Sequence, residues 1–415
     1  MEANRAIDQF FEATAVKKFT LSSQSAQYHW AMTSPDPIIG AITERILAAR
    51  AHHSTLQIRG GGSKSFYLPP SQTEVLDTRI LSGIVSYEPS ELVVTVLAGT
   101  PLSELEALLA ERGQCLPFEP PHYGWSAGTH ATVGGMVASG LSGPARASSG
   151  GVRDYVLGVK LINGLGQHLT FGGQVMKNVA GYDVSRLMAG ALGTLGVLTE
   201  VSLKVLPIAP AQATLCFELG QAAALEQLHV WGAQPLPLNA SCWVQDQGKD
   251  LLFVRLRGAV AAVEAACVRM RKDAPGTRMD DAQAAADWEQ CRNHQLPFFA
   301  APQHDDMALW RLSLPQTATV LDLPYAQLIE WHGALRWLWA PLHAQAAIEV
   351  AAHAAHGTAA VFVKPKTVAH DTTHDAADGT PRLVPQGPAA ASAATVMKRL
   401  KASFDPQGIF NPNVH

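Results

Sequence analysis

The stretch FGGQVMKNVAGYDVSRLMAGALGTLGVLTEVSLKVLP, from Phe171 to Pro207, constrains the fold of this chain more than any other. Six glycines (Gly172, Gly173, Gly181, Gly190, Gly193, Gly196) stand among short apolar runs, and the closing alternation puts Val201, Leu203 and Val205 on one face. That alternation predicts a half-buried strand. Tyr182 to Met188 suits a short helix, and the turn from Gly190 to Gly196 into the strand then needs backbone without Cβ atoms. Such backbone admits a large group at close range. A tight turn would explain any one of these glycines alone, but two further glycine clusters upstream give the set its weight.

A chain of 415 residues suits two or three domains. With 47% apolar and 16% charged residues it has the composition of a soluble globular protein. A net charge of -4 with no long basic run leaves no footprint for nucleic acid or an anionic membrane surface. Cys115, Cys216, Cys242, Cys267 and Cys291 lie far apart with no CxxC, which argues against an iron–sulfur cluster held by this chain and against a disulfide framework. The N-terminal segment lacks the apolar core of a signal peptide, and no apolar run is long enough to span a bilayer. The expected location is cytoplasmic, with any membrane contact made through partners.

Residues 1–36 read as a weakly patterned, partly mobile extension. Pro37 opens a helix in which Ile38, Ile39, Ile42, Ile46 and Leu47 gather on one side. Thr55 to Ile58 reads as a strand and runs into Arg59, Gly60, Gly61, Gly62, Ser63 and Lys64. Three glycines between two cations can present backbone NH groups to a phosphate; a flexible hairpin explains GGG equally well. Strands follow at Gly83 to Tyr87 and Leu92 to Ala98. A helix then runs over Leu102 to Arg112, with Thr100 as N-cap, Pro101 at its first position and Gly113 past its end.

The next cluster, Thr132 to Gly143, combines small residues with the hydroxyls of Thr132, Ser139 and Ser142. It fits either a narrow ligand slot or close packing of a helix on a sheet. Asp154 to Asn163 and His168 to Phe171 form a hairpin. A domain boundary falls at Ile208 to Gln212, so that residues 37–207 form one domain and 208–393 a second. In the second, strands at Leu251 to Leu256 and Leu309 to Leu314 and helices at Ala259 to Arg271 and Tyr325 to Leu338 predict a sheet with helices on one face. Residues 371–392 have the composition of a mobile insertion, and 394–415 form a last helix and a tail returning to the first domain.

Taken together, IRGGGSKSFY, EPPHYG, ATVGGMVASGLSGPAR, VRDYVLGVKLING and KNVAGYDVSRLMAGALGTLGVLTEVSLKVLP resemble the FAD-binding (PCMH-type) domain of the vanillyl-alcohol oxidase family. Within that family the chain is similar to the smaller flavin-domain subunits of bacterial glycolate oxidase, also called glycolate dehydrogenase. The resemblance implies an α+β fold: a two-subdomain FAD-binding domain followed by an α+β cap with an antiparallel sheet. It implies that Arg59, Gly60, Gly61, Gly62, Ser63, Lys64, Thr132, Gly134, Gly135 and Ser139 hold the pyrophosphate and ribityl chain, and that Gly193, Gly196 and Val197 contact the adenine side or the pyrophosphate. Where some relatives attach the flavin covalently through a histidine, Ser63 and Lys64 stand here, so FAD is expected to be non-covalent.

The resemblance further implies a complex that oxidises glycolate to glyoxylate. A larger FAD-containing subunit would carry the substrate site, and an iron–sulfur subunit would pass electrons toward quinone. The GHxGDGNxH motif of related 2-hydroxy acid oxidisers is missing from the cap. Arg311 and Arg336 are the candidate carboxylate-binding cations, each otherwise a structural partner of Trp310 or Trp337. His353 and His356, three apart, lack an acidic third ligand, and no metal site is expected. Two alternatives remain: a flavin-free structural subunit of the same complex, and a stand-alone FAD-dependent 2-hydroxy acid dehydrogenase.

Overall fold

The computed structural model describes residues 36–67, 73–173, 183–300, 302, 304–365, 388–412 and 414. Gly181, Tyr182, nearly all of the N-terminal extension and most of the 371–392 insertion therefore lie outside the described residues.

Helix α1 (Asp36–Ala51) packs on a parallel strand pair, β1 (Leu56–Arg59) and β2 (Glu74–Asp77). Ile42 and Ile46 are buried against Leu56 and Leu76, while Leu47 is 43% exposed and does not join the apolar face expected for it. The chain continues into β3 (Ile84–Glu88), β4 (Val93–Leu97), α2 (Leu102–Glu111), β5 (Gln114–Cys115) and α3 (Val133–Ser139). It then forms β6 (Val156–Ile162), β7 (His168–Gly172), β8 (Val197–Lys204) and β9 (Leu206–Pro207). An antiparallel five-stranded sheet has the order β3-β4-β8-β6-β7, and β5 pairs with β9.

Two local expectations are corrected here. Thr100 does not cap α2: its hydroxyl bonds the backbone of Gly83, accepting from the amide (2.9 Å) and donating to the carbonyl (3.1 Å), and Pro101 is the N-cap. Strand β8 is central rather than half-buried. Val201 and Leu203 are buried on one face, while on the other Ser202 lies buried within 2.9 Å of the Thr95 hydroxyl, the pair satisfying each other.

The second sheet is antiparallel and eight-stranded, ordered β13-β10-β12-β11-β15-β16-β14-β17. Its strands are β10 (Ala211–Glu218), β11 (Leu238–Asp246), β12 (Lys249–Gly258), β13 (Gly276–Arg278), β14 (Met307–Ser313), β15 (Gln327–Glu330), β16 (Leu335–Pro341) and β17 (Thr358–Val363). Helices α4 (Gln221–Gly232), α5 (Val260–Asp273) and α7 (Gln345–Ala354) cover its outer face through Leu228, Trp231, Val263, Met270 and Ile348. Helix α6 (Asp281–Arg292) lies on the opposite, inner face, where Trp288 Nε1 donates to the Thr214 hydroxyl at 3.0 Å. Helices thus occupy both faces, not one as expected.

The helix expected over Tyr325 to Leu338 is instead the hairpin β15–β16. It turns through Trp331, His332 and Gly333, all at positive φ. Every residue of β15 and all but one of β16 are buried, so neither face is marked by solvent and the polar–apolar period of two that marks a half-exposed strand disappears.

The last helix, α8 (Pro388–Phe404), returns the chain to the first sheet, where Phe404 joins the core. The tail then adds to β1: the Leu56 amide donates to Ile409 O and the Asn411 amide to Leu56 O. Asp405 turns it by accepting from the Ile409 and Phe410 amides, both at 2.9 Å.

Ion pairs tie the cap to the first domain. Glu119 accepts from Arg255 at 2.7 Å and meets Arg257 at 3.3 Å, and Arg292 pairs with Glu106. Trp331 Nε1 also donates to Gly143 O at 3.0 Å. Among the described residues no helix is long and apolar enough to cross a membrane.

Candidate functional site

The three glycine clusters, far apart in the chain, line one cleft. It leaves about 990 Å³ free of protein atoms, solvent-open space included. Arg59, Gly60, Gly61, Gly62, Ser63 and Lys64 form one wall as the loop leaving β1. Thr132, Gly134, Gly135 and Ser139, at the start and along α3, form the second, and Gly193 and Gly196, in the turn entering β8, form the third. Val197 alone of the expected contacts does not line the cleft; its side chain is fully buried with Leu56 and Ile162, and Leu198 faces the space instead. A strand alternates sides, so the residue after Gly196 had to point away.

The glycines are required by different contacts. A Cβ at Gly61 would stand 2.0 Å from His130 O, and one at Gly60 would stand 2.4 Å from Thr132 Oγ1, so the two walls touch through bare backbone. At Gly134 a Cβ would meet the Ala98 Cβ at 2.8 Å, which makes this residue the helix-to-strand packing contact. Both explanations of the Thr132 cluster therefore hold, at different positions. The amides of Gly60, Gly61 and Lys64 make no hydrogen bond to protein among the described residues. Converging amides without a protein acceptor suit an anionic group.

Lys64 supplies the one cation beyond Arg59 in that wall, its ammonium 5.7 Å from the Tyr123 ring centroid. Burial and then the neighbouring Arg292 lower its pKa to about 7. Ala98, Met188, Leu192, Leu195 and Leu198 make the rest of the cleft apolar. An extended molecule carrying a pyrophosphate and planar ring systems fits this combination of amides, one cation and apolar walls.

Sequence reasoning missed the residue that closes the cleft. Asn411, at φ 44°, accepts from the Ile58 amide at 2.9 Å and donates to Leu192 O at 2.6 Å, joining β1 to the third glycine cluster. Its only signal was the returning tail, and the partner identities needed the fold. His130 was missed too, since its part is played by backbone.

The candidate cations of the cap part company. Arg336 is fully buried on the outer face, its guanidinium donating to Ala318 O at 2.7 Å, and faces neither the cleft nor the inner face. Arg311 lies on the inner face, 5.5 Å from the Trp331 ring centroid. It lines a small inter-domain cavity with Tyr123, His294 and Glu330. There the Tyr123 hydroxyl and His294 Nε2 are 3.2 Å apart, and Glu330 accepts from Trp337 Nε1 at 2.8 Å and Cys291 Sγ at 3.4 Å. Burial raises the Glu330 carboxyl to about 7 and lowers His294 to about 3. Tyr123, His294 and Trp331 all have left-handed backbone, a conformation that costs energy away from glycine. His353 is in α7 and His356 lies beyond its end at φ 59°, so the two do not share a helix; among the described residues no three His, Cys, Asp or Glu side chains could hold a metal ion.

Residues 39–172 match the model of an FAD binding domain. Over 372 residues the chain is 43% identical to glycolate oxidase subunit GlcE of Escherichia coli (strain K12), covering 90% of this chain and 95% of that one. The chain belongs to the GlcE family of glycolate oxidase subunits. A more distant likeness, 27% identity over 212 residues, links this GlcE-family chain to glycolate oxidase subunit GlcD of Bacillus subtilis (strain 168), with 49% of this chain and 44% of that one covered. Among solved structures, alkyldihydroxyacetonephosphate synthase superposes with a TM-score of 0.62 at 16% identity, over 89% of this chain and 74% of that one. That likeness extends through the cap and establishes the fold: an FAD-binding α+β domain followed by an α+β domain built on an antiparallel sheet. The cofactor of the GlcE-family chain is FAD, and the chain is an oxidoreductase subunit.

Proposed function

We propose that this chain is the FAD-binding subunit of a complex that oxidises glycolate to glyoxylate. In it a larger FAD-containing subunit carries the main substrate site and an iron–sulfur subunit passes electrons toward quinone. Residues 37–207, joined by 394–415, hold FAD without a covalent bond, and residues 208–393 form the cap. Any membrane association runs through the partners. The observation that carries this reading is the convergence of three glycine clusters on one cleft, where a Cβ at Gly60 or Gly61 would collide with the facing wall.

Bound FAD supplies a two-electron acceptor. The chain's own residues do the rest. Amides of Gly60, Gly61 and Lys64 orient the pyrophosphate, Lys64 offsets its charge, and Asn411 keeps the first and third walls together. The hydroxyls of Thr132 and Ser139 and the backbone at Gly193 and Gly196 line the remainder. Arg311 is the remaining candidate for a carboxylate; it shares its cavity with the Glu330 carboxyl, and only about 10 Å³ is left there, room for about one water. So small a space favours a substrate site on a partner.

The test is a visible absorption spectrum of the purified chain followed by acid release of the chromophore. Flavin bands with free FAD in the supernatant, and little glycolate turnover until the partners are added, are expected. A colourless chain that takes up no added FAD would replace this reading with the structural-subunit one, and robust turnover by the chain alone would replace it with the stand-alone dehydrogenase.

A further inference from the structure

Among the described residues, the inner face of the eight-stranded sheet is not fully covered. Between α6, the turn at Leu296 to Phe298 and strands β10 to β12 lies an open groove that leaves about 1220 Å³ free of protein atoms, solvent-open space included, and that neither the cleft nor the Arg311 cavity includes. Its walls are Val244, Phe253, Met279, Leu296 and Phe298, each half-buried, and its floor is the buried Trp288. Five large apolar side chains in one concave patch cost free energy while water fills it. The rim is acidic. Asp246 is exposed and Asp287 half-buried, and among the described residues neither pairs with a cation; the Asp287 carboxylate accepts only from Gln283 Nε2, at 2.8 Å.

We propose that this groove is where a partner subunit docks, seating an aromatic or branched aliphatic side chain between Phe253 and Phe298 with a Lys or Arg beside it to meet Asp246 and Asp287. The proposal rests on the reading of the chain as one subunit of a complex. Charge chooses the occupant. An apolar anchor inside a charged rim is also the usual form of an interface hot spot. Two uncompensated carboxylates at the mouth select a basic neighbour and disfavour an acidic one.

The experiment co-expresses the full-length chain, tagged, with the larger flavoprotein subunit and the iron–sulfur subunit. The wild type is compared with Val244→Arg and with the double variant Asp246→Lys/Asp287→Lys. The double variant changes rim side chains only, so it tests docking even if Val244→Arg fails to fold. Association at least tenfold weaker in the double variant, with FAD content and melting temperature of the isolated chain unchanged, is expected. So is slower hydrogen exchange in residues 242–254 and 279–298 on assembly.

Undiminished association in both folded variants, or unchanged exchange at those residues, overturns the proposal. Exchange already slow in the isolated chain, and made fast by deleting residues 366–387, would assign the groove to a segment of this chain and also overturn it. A wild type that retains no partner is a different result. It refutes the subunit reading itself, and the proposal falls with it.

Discussion

The FAD-binding domain and the cap solve the placement of charge in opposite ways. In the first, the polar groups offered to the cleft include the free backbone amides of the GGG loop, with Lys64 and Arg59 as the cations of the first wall. At the inner face of the second, charged side chains are sunk out of water and held by side chains from other elements. Glu119 of the first domain is held by Arg255 and Arg257 of the cap, and Glu330 of the cap accepts from Trp337 and Cys291. A backbone site demands particular residue types, because only glycine tolerates the contact. A side-chain site demands particular neighbours, and these come from distant strands. The same chain is therefore readable in one half and opaque in the other.

The largest effect should come from giving the backbone site a side chain. Gly61→Ala places a Cβ 2.0 Å from a carbonyl oxygen that cannot swing away, and the purified variant is expected to carry no FAD while its cap remains folded. Absorbance at flavin wavelengths against protein concentration measures this. A variant with full FAD occupancy would show that the first loop is not where the cofactor is held.

Next in size is the side-chain site. Burial pushes the Glu119 carboxyl up, but Arg255 and Arg257 outweigh it and hold the pKa below the usual carboxylate range. Glu119→Ala strands Arg255, whose side chain is only 4% exposed, and should cost about 3–5 kcal/mol by urea denaturation. Adding Arg255→Met should restore part of the loss; if it deepens the loss instead, the pair is not what matters there.

A pH-dependent effect of somewhat smaller size is expected at Glu330. Its folded pKa of about 7 lies above the ordinary value of 4.5, so the folded chain holds a proton that the unfolded chain releases between those values. Stability from this group is full below pH 4.5 and lost as pH rises through 7, amounting to about 3 kcal/mol. Glu330→Gln should remove that dependence and be relatively more stable at about pH 8 than at about pH 5. Parallel stability curves for the two proteins across that range would rule it out.

The smallest effect tests Lys64. With its pKa lowered to about 7, the side chain carries its charge below that pH, and a bound pyrophosphate draws the proton back. FAD binding should weaken as pH rises above 7, whereas Lys64→Met should bind about tenfold less tightly at about pH 6, about 1.4 kcal/mol, and show no such slope. Fluorescence titration at several pH values separates the two. A wild-type affinity independent of pH on both sides of neutrality would place Lys64 away from the phosphates.

These contrasts show where legibility ended. The clusters at Gly60, Thr132 and Gly193 were visible because a glycine set carries meaning in any context. Val197, expected at the cleft, is turned into the core by alternation along β8. The helix expected over Tyr325 to Leu338 is a hairpin, because burial on both faces erases the strand period. Arg311 and Arg336 are equivalent in sequence, each beside a tryptophan; the β14–β16 register sets Arg311 opposite Trp337 on the inner face and Arg336 opposite Leu312 on the outer one.

By itself, then, the sequence determined the α+β class, the positions where backbone must lie bare, and the kind of ligand such backbone receives. Those properties are local, set by the absence of a Cβ and by the order of short apolar runs. Only the tertiary structure decided that Asn411 closes the cleft, that α6 sits on the inner face, and that Tyr123, His294, Arg311 and Glu330 share one cavity. Each of these depends on pairings between residues far apart in the chain or on opposite faces of a strand. Such pairings are chosen by packing of the whole chain, which no short window of residues encodes.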